Sequence, residues 1–211
     1  MLFRSISGAH QSSFGREAAG VFAAAIAQAM IPRTTVDEIM DVAIELANDG
    51  TKKAIIASVK AAKSISTWRD NLHVLRSAFA PFDTMEENYR EAGLDARKPS
   101  RLNSIEELPL ALAMVVVAKG DYRESVLGGV NYGRDSDSIA TMAGAICGAM
   151  HGKSVIPGDW LETVERESKR DFTATGLRIA EIAEEIHRKD QIRSEKVAND
   201  KAELFASNIR A

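Results

Sequence analysis

Apolar residues recur at helical spacing along most of the chain, and few segments alternate in the manner of a strand. Residues 15–30 form an alanine-rich stretch that stops before Pro32. Thr35 and Glu38 then have the spacing of a capping box, in which each side chain takes an amide hydrogen at the start of a helix. Val36, Ile39, Met40, Ala43 and Ala47 follow on one face, and Asn48-Asp49-Gly50 reads as the stop. Residues 51–66 repeat the pattern through Ile55, Val59 and Ala62, and residues 68–79 through Leu72, Leu75 and Phe79.

Further boxes fall at Thr84/Glu87 and Ser104/Glu107, separated by a basic, proline-containing loop at residues 93–101. Pro109 is expected to start or kink the helix that runs to residue 118, because it lacks an N–H and crowds the preceding turn. Residues 121–130 read as a short helix entering a glycine turn. Beyond Pro157 a helix is expected around residues 160–167, and from Thr173 one long helix carrying Ile179, Ile182, Ala183 and Ile186. Past His187 that helix becomes mostly charged, which predicts a solvated extension. The expected fold is an all-α multi-helix bundle, with residues 1–190 as one helical domain and 191–211 as a charged helical tail.

The stretch Gly128-Gly129-Val130-Asn131-Tyr132-Gly133-Arg134-Asp135-Ser136-Asp137-Ser138 carries the candidate chemistry. The glycines are expected to turn the backbone, since they tolerate positive φ. Asp135, Asp137 and Ser138 then offer oxygen donors of the kind hard cations take. A helix start also favours carboxylates, so an aspartate here reads as a cap or as a cation ligand, capping being the commoner role. Gly144, Gly148 and Gly152 repeat every four residues in the next helix, and the bared face is expected to admit a neighbouring backbone. Cys147 lies among these small residues and reads as a packed thiol rather than a nucleophile.

Asn131 to Ala140, running into Ala143-Gly144-Ala145 and Gly148-Ala149-Met150-His151-Gly152, resembles the C-terminal signature of the ADP-ribosylglycohydrolase family, of the dinitrogenase-reductase-activating glycohydrolase type. Ser5-Ile6-Ser7-Gly8-Ala9-His10, the run from Arg101 to Ala111, and Ile156-Pro157-Gly158-Asp159-Trp160 are similar to three further family segments, in the family's order. The resemblance implies an all-helical hydrolase of ADP-ribosyl glycosidic bonds that uses a pair of Mg²⁺ or Mn²⁺ ions. It implies that Asp135, Asp137 and Ser138 are metal ligands, that His10 contacts ADP-ribose, and that Asn131, Gly133 and Arg134 border the substrate. Arg134 stands where the family more often has glycine, and is expected either to pair with a pyrophosphate or to face solvent. The family's N-terminal Gly-Asp-Ala turn and Ser/Thr-Asp-Asp-Ser/Thr motif are not found, and the chain contains no Asp-Asp pair. Half of the metal site is therefore expected to be missing, together with the family's N-terminal helices. Asp83, Glu86 and Glu87 form the nearest acidic cluster, and a helix start explains them more simply.

Composition narrows the classes. The chain has 211 residues, 45% of them hydrophobic, enough for a domain with a sizeable core. A net charge of -3 advertises no basic surface for nucleic acid. The longest apolar run, residues 108–118, is too short to span a bilayer, and the N-terminus lacks the apolar core of a signal peptide. A cytoplasmic location is the expectation, and the single cysteine excludes an internal disulfide. Three functions remain open. One is a metal-dependent ADP-ribosyl hydrolase, inactive if the half-site fails. The second is a non-catalytic remnant that binds ADP-ribose or a related nucleotide. The third is a helical interaction module that dimerises through exposed apolar surface.

Overall fold

The computed structural model describes residues 14–82 and 104–208. Among them are nine α-helices and no strand, so the all-α expectation holds. The chain divides between Pro157 and Gly158 into two compact units.

The first unit contains α1 (Phe14–Ala29), α2 (Val36–Leu46), α3 (Asp49–Lys63), α4 (Leu72–Phe79), α5 (Ser104–Val117), α6 (Tyr122–Tyr132) and α7 (Ser136–His151). Helix α5 is its axis. Residues 110–115, Leu-Ala-Leu-Ala-Met-Val, are all fully buried, so the helix has no solvent face over that stretch. It touches each of the other six helices. A helix apolar all round is stable only inside a shell of others, and each buried Leu or Met here contributes roughly 1.5–3 kcal/mol. Pro109 lies within α5, whose first turn begins five residues earlier at Ser104.

The surrounding helices turn single stripes inward: Val21, Ala25 and Ala29 of α1; Ile39, Met40 and Ala43 of α2; Ala54, Ile55, Val59 and Ala62 of α3; Leu75 and Phe79 of α4. The Thr35/Glu38 capping box forms, with Thr35 N donating to Glu38 Oε2 at 2.7 Å and Glu38 N to Thr35 Oγ1 at 3.2 Å. Asn48-Asp49-Gly50 does more than stop α2. Asn48 is the N-cap of α3, and its backbone N–H donates to the carboxylate of Glu17 on α1. Trp68 is buried in the core, with its indole N–H on Glu124 Oε2 at 3.1 Å.

The second unit contains α8 (Gly158–Ser168) and α9 (Phe172–Asn208), a helix of 37 residues that runs unbroken through residue 190. Asp171 caps α9 by accepting from Ala174 N at 2.8 Å. Its surface carries ion pairs at helical spacing, including Glu185–Lys189 and Lys196–Asp200. The extension past His187 is exposed, and so are Ile179, Ile182 and Ile186 of the apolar stripe before it. Among the described residues no helix is long and apolar enough to cross a membrane.

Candidate functional site

The glycine-rich stretch divides its work differently from the expected turn. Gly128 and Gly129 lie inside α6, which continues to Tyr132. They are required by close approach rather than by turning. A Cβ on Gly129 would stand 2.8 Å from both N and Cα of Ala140, at the start of α7. A Cβ on Gly128 would meet Met114 and Trp68. Among the described residues, the face through Gly144, Gly148 and Gly152 does not seat another backbone. Gly144 meets side chains of α6, Gly148 faces open space, and Gly152 ends α7 at φ 78°.

The turn itself is Gly133 at φ 82° followed by Arg134 at φ 56°. A non-glycine residue in this left-handed region costs on the order of 1–3 kcal/mol and persists only where its surroundings fix it. Arg134 Nε lies 3.2 Å from Glu106 Oε2, and the two side chains are 10% and 4% exposed. Arg134 therefore does not face solvent. Glu106 also accepts a hydrogen bond from the Tyr132 hydroxyl at 2.9 Å.

Asp135 takes the N-cap position of α7, but its contact with Ser138 falls short of a side-chain cap hydrogen bond. Its carboxylate instead meets Glu107 of α5, a residue expected to fold back onto Ser104 in a capping box. Burial, the hydrogen bond to Asp135 and the neighbouring negative charges push the Glu107 carboxyl up to about 9. The hydrogen bond from Glu107 draws Asp135 below the usual carboxylate range against the opposing effect of burial, and the neighbouring Asp137 and Ser138 pull the same way. At neutral pH the pair is a protonated Glu107 donating to an ionised Asp135. Such a pair shares one proton, because two neighbouring carboxylates in a buried site resist carrying both charges.

Asp135, Ser138 and Glu107 line a cleft of about 340 Å³, within the range of small-ligand sites. Among the described residues its other walls are Gly15, Ala18, Ala19 and Phe22 of α1, Ser104 and Leu108 of α5, and Met142 of α7. The cleft is thus acidic on one side and apolar on the other. Asp137 sits in the first turn of α7, exposed and outside the lining, though its charge reaches Glu107. Asn131 is exposed on α6, and its side-chain amide donates to Leu127 O at 2.8 Å. Arg134 does not line the cleft. His10 and the cluster Asp83, Glu86 and Glu87 lie outside the described residues.

The donors suit a hard cation in chemistry, being carboxylate and hydroxyl oxygens. They do not close a site by themselves, since among the described residues no three acidic, histidine or cysteine side chains converge as a metal would require. Glu107 is the residue that the sequence pattern did not disclose. Its capping-box spacing with Ser104 offered a sufficient local explanation, while its contact with Asp135 joins two helices.

The described residues are all-helical, with a cleft bordered by carboxylate and hydroxyl oxygens at the start of α7. Residues 3–196 match the family model of ADP-ribosylglycohydrolase, and the chain belongs to that family. It is 28% identical over 179 residues to the uncharacterized protein YegU of Escherichia coli (strain K12), covering 83% of this chain and 50% of that protein. It is 42% identical over 48 residues to the ADP-ribosylhydrolase ARH3 of Homo sapiens, covering 23% of this chain and 13% of that one, and the Bos taurus ARH3 matches to the same extent. The chain thus spans about half the length of YegU and a small part of ARH3. No solved structure matches it.

Proposed function

We propose that this chain takes part in hydrolysis of ADP-ribosyl glycosidic bonds, with the cleft between α1, α5 and α7 as its share of the active site. The observation that carries the reading is the placement of Asp135 and Ser138, two residues of the family signature, on one cleft with a third oxygen donor, Glu107. In this reading Asp135 and Ser138 are donors to a Mg²⁺ or Mn²⁺ ion from the cleft wall, and Asp137 joins them from the exposed first turn of α7. His10 contacts the nucleotide, and Asn131 and Gly133 border it, while Arg134, paired with Glu106, supports the turn rather than the ligand. Three such donors are a partial set for Mg²⁺, which takes about six oxygens and often keeps several as water. What the chain's own groups supply is an acidic wall beside an apolar one, with one proton shared between Glu107 and Asp135.

The test is release of free ADP-ribose from ADP-ribosylated protein, with and without Mg²⁺. Hydrolysis by the wild-type chain that depends on Mg²⁺ and is lost in Asp137→Asn supports the reading. A folded wild type that releases nothing removes it. The partial donor set favours a second reading, a non-catalytic ADP-ribose-binding protein. Calorimetric titration of ADP-ribose separates the two, because a binder saturates without turnover and is weakened by His10→Ala.

A further inference from the structure

The turn that delivers Asp135 to the cleft is held from the protein interior. Two consecutive residues, Gly133 and Arg134, are left-handed, and the second has a side chain that disfavours that conformation. On either side of Gly133 the chain is gripped by one buried carboxylate. Glu106 Oε1 accepts from the Tyr132 hydroxyl at 2.9 Å, and Glu106 Oε2 lies 3.2 Å from Arg134 Nε. From α4, Arg76 Nη2 donates to the Tyr132 carbonyl at 3.0 Å, with its guanidinium 4.8 Å from the Tyr132 ring centroid. Glu106 is the neighbour in sequence of Glu107, which meets Asp135 itself. The first turn of α5 therefore contacts the Asp135 turn twice, once inside through Glu106 and once at the cleft through Glu107.

We propose that Glu106 is a positioning residue, which acts through Arg134 and Tyr132 to hold the 133–135 turn so that Asp135 enters the cleft. The functional weight of Asp135 rests on the reading above, whereas the positioning itself does not. In this chain an arginine occupies a position where glycine would need no help, and the buried ion pair supplies the conformational hold that glycine's freedom would make unnecessary.

The experiment compares wild type, Glu106→Gln, Arg134→Gly and the double variant. It reads backbone amide shifts by ¹⁵N–¹H correlation spectra and the affinity for Mn²⁺ alone by electron paramagnetic resonance. Glu106→Gln is expected to displace the amides of Gly133, Asp135 and Ser138 while those of residues 110–115 stay in place. Its Mn²⁺ affinity should fall about tenfold, as when a group supporting a metal ligand is removed. The double variant removes both charges and gives the turn a glycine, so the amides and the affinity should return to near wild type. Loss of fold without that rescue is what a merely structural pair would give. Unmoved turn amides and unchanged affinity in Glu106→Gln would overturn the proposal. If wild type binds no Mn²⁺, the cation reading fails and the amide arm alone decides. If the single variants do not fold, a folded double variant with wild-type turn amides supports the proposal. A double variant that fails to fold, or folds with displaced turn amides, overturns it.

Discussion

Two glycine-to-alanine changes on neighbouring helices should have opposite signs, and together they test the contact that holds the site's frame. Gly129→Ala on α6 places a methyl group 2.8 Å from N and Cα of Ala140. Both are backbone atoms, so they cannot swing aside as a side chain would, and the two helices must separate. Overpacking of this kind costs about 1–3 kcal/mol, and more where nothing yields. Alanine returns about 1 kcal/mol of helix propensity, leaving a net loss of roughly 2 kcal/mol if the strain lies at the upper end. Gly148→Ala on α7 meets nothing within 4 Å among the described residues, so only the propensity gain of about 0.5–1 kcal/mol remains. For a chain of this length each kcal/mol moves the melting temperature by roughly 2–4 °C. Gly129→Ala should therefore melt about 4–8 °C below wild type and Gly148→Ala about 1–4 °C above it. Paired thermal melts by far-ultraviolet circular dichroism measure both. Greater stability in Gly129→Ala than in wild type would show that α6 and α7 do not meet at Ala140, and the described turn geometry would fall with that contact.

Two further outcomes follow from the buried titrating groups. Burial pushes the Cys147 thiol up to about 11, outweighing its hydrogen bond to Ser125 at 3.3 Å. At pH 8 only about one molecule in a thousand carries the thiolate that reacts, so a disulfide reagent should label the native chain far more slowly than the unfolded chain, and equal rates would refute the packed-thiol reading. Glu107 holds its proton to about 9 in the folded chain and releases it far earlier, near the ordinary carboxyl value of 4.5, when unfolded. Its contribution to stability is fully present below pH 4.5 and is lost as pH rises toward 9. Glu107→Gln keeps a donor toward Asp135 without a group to titrate, so denaturant unfolding should show a flatter fall in stability across that window. An unchanged pH profile would place the shared proton elsewhere.

How much of this was legible beforehand depended on whether a residue's partner was local. The Thr35/Glu38 box, the stripes of α2, α3 and α4, and the long α9 all follow from spacings of three to seven residues, and the structure shows each of them. The glycines illustrate the limit. Gly128, Gly129 and Gly133 stand close together in sequence, yet one turns the chain and two admit another helix. Composition cannot separate those uses, because both exploit the missing Cβ. Which use applies depends on where Ala140, Met114 and Trp68 come to lie.

The acidic pair at the start of α5 shows the same limit in a functional setting. Glu106 and Glu107 look like first-turn carboxylates placed to suit a helix dipole, and that local account is complete without a third dimension. Only packing of α5 against α7 shows that the two point to different tasks, Glu106 inward to Tyr132 and Arg134, Glu107 outward to Asp135 and the cleft. The family signature made Asp135 and Ser138 visible from sequence because it is a contiguous run. Groups that meet those residues from another helix leave no such run. The cleft's remaining chemistry is thus to be sought in residues that bland local rules already explain, and Glu106→Gln and Glu107→Gln are the changes that separate an interior support from a cleft-facing donor.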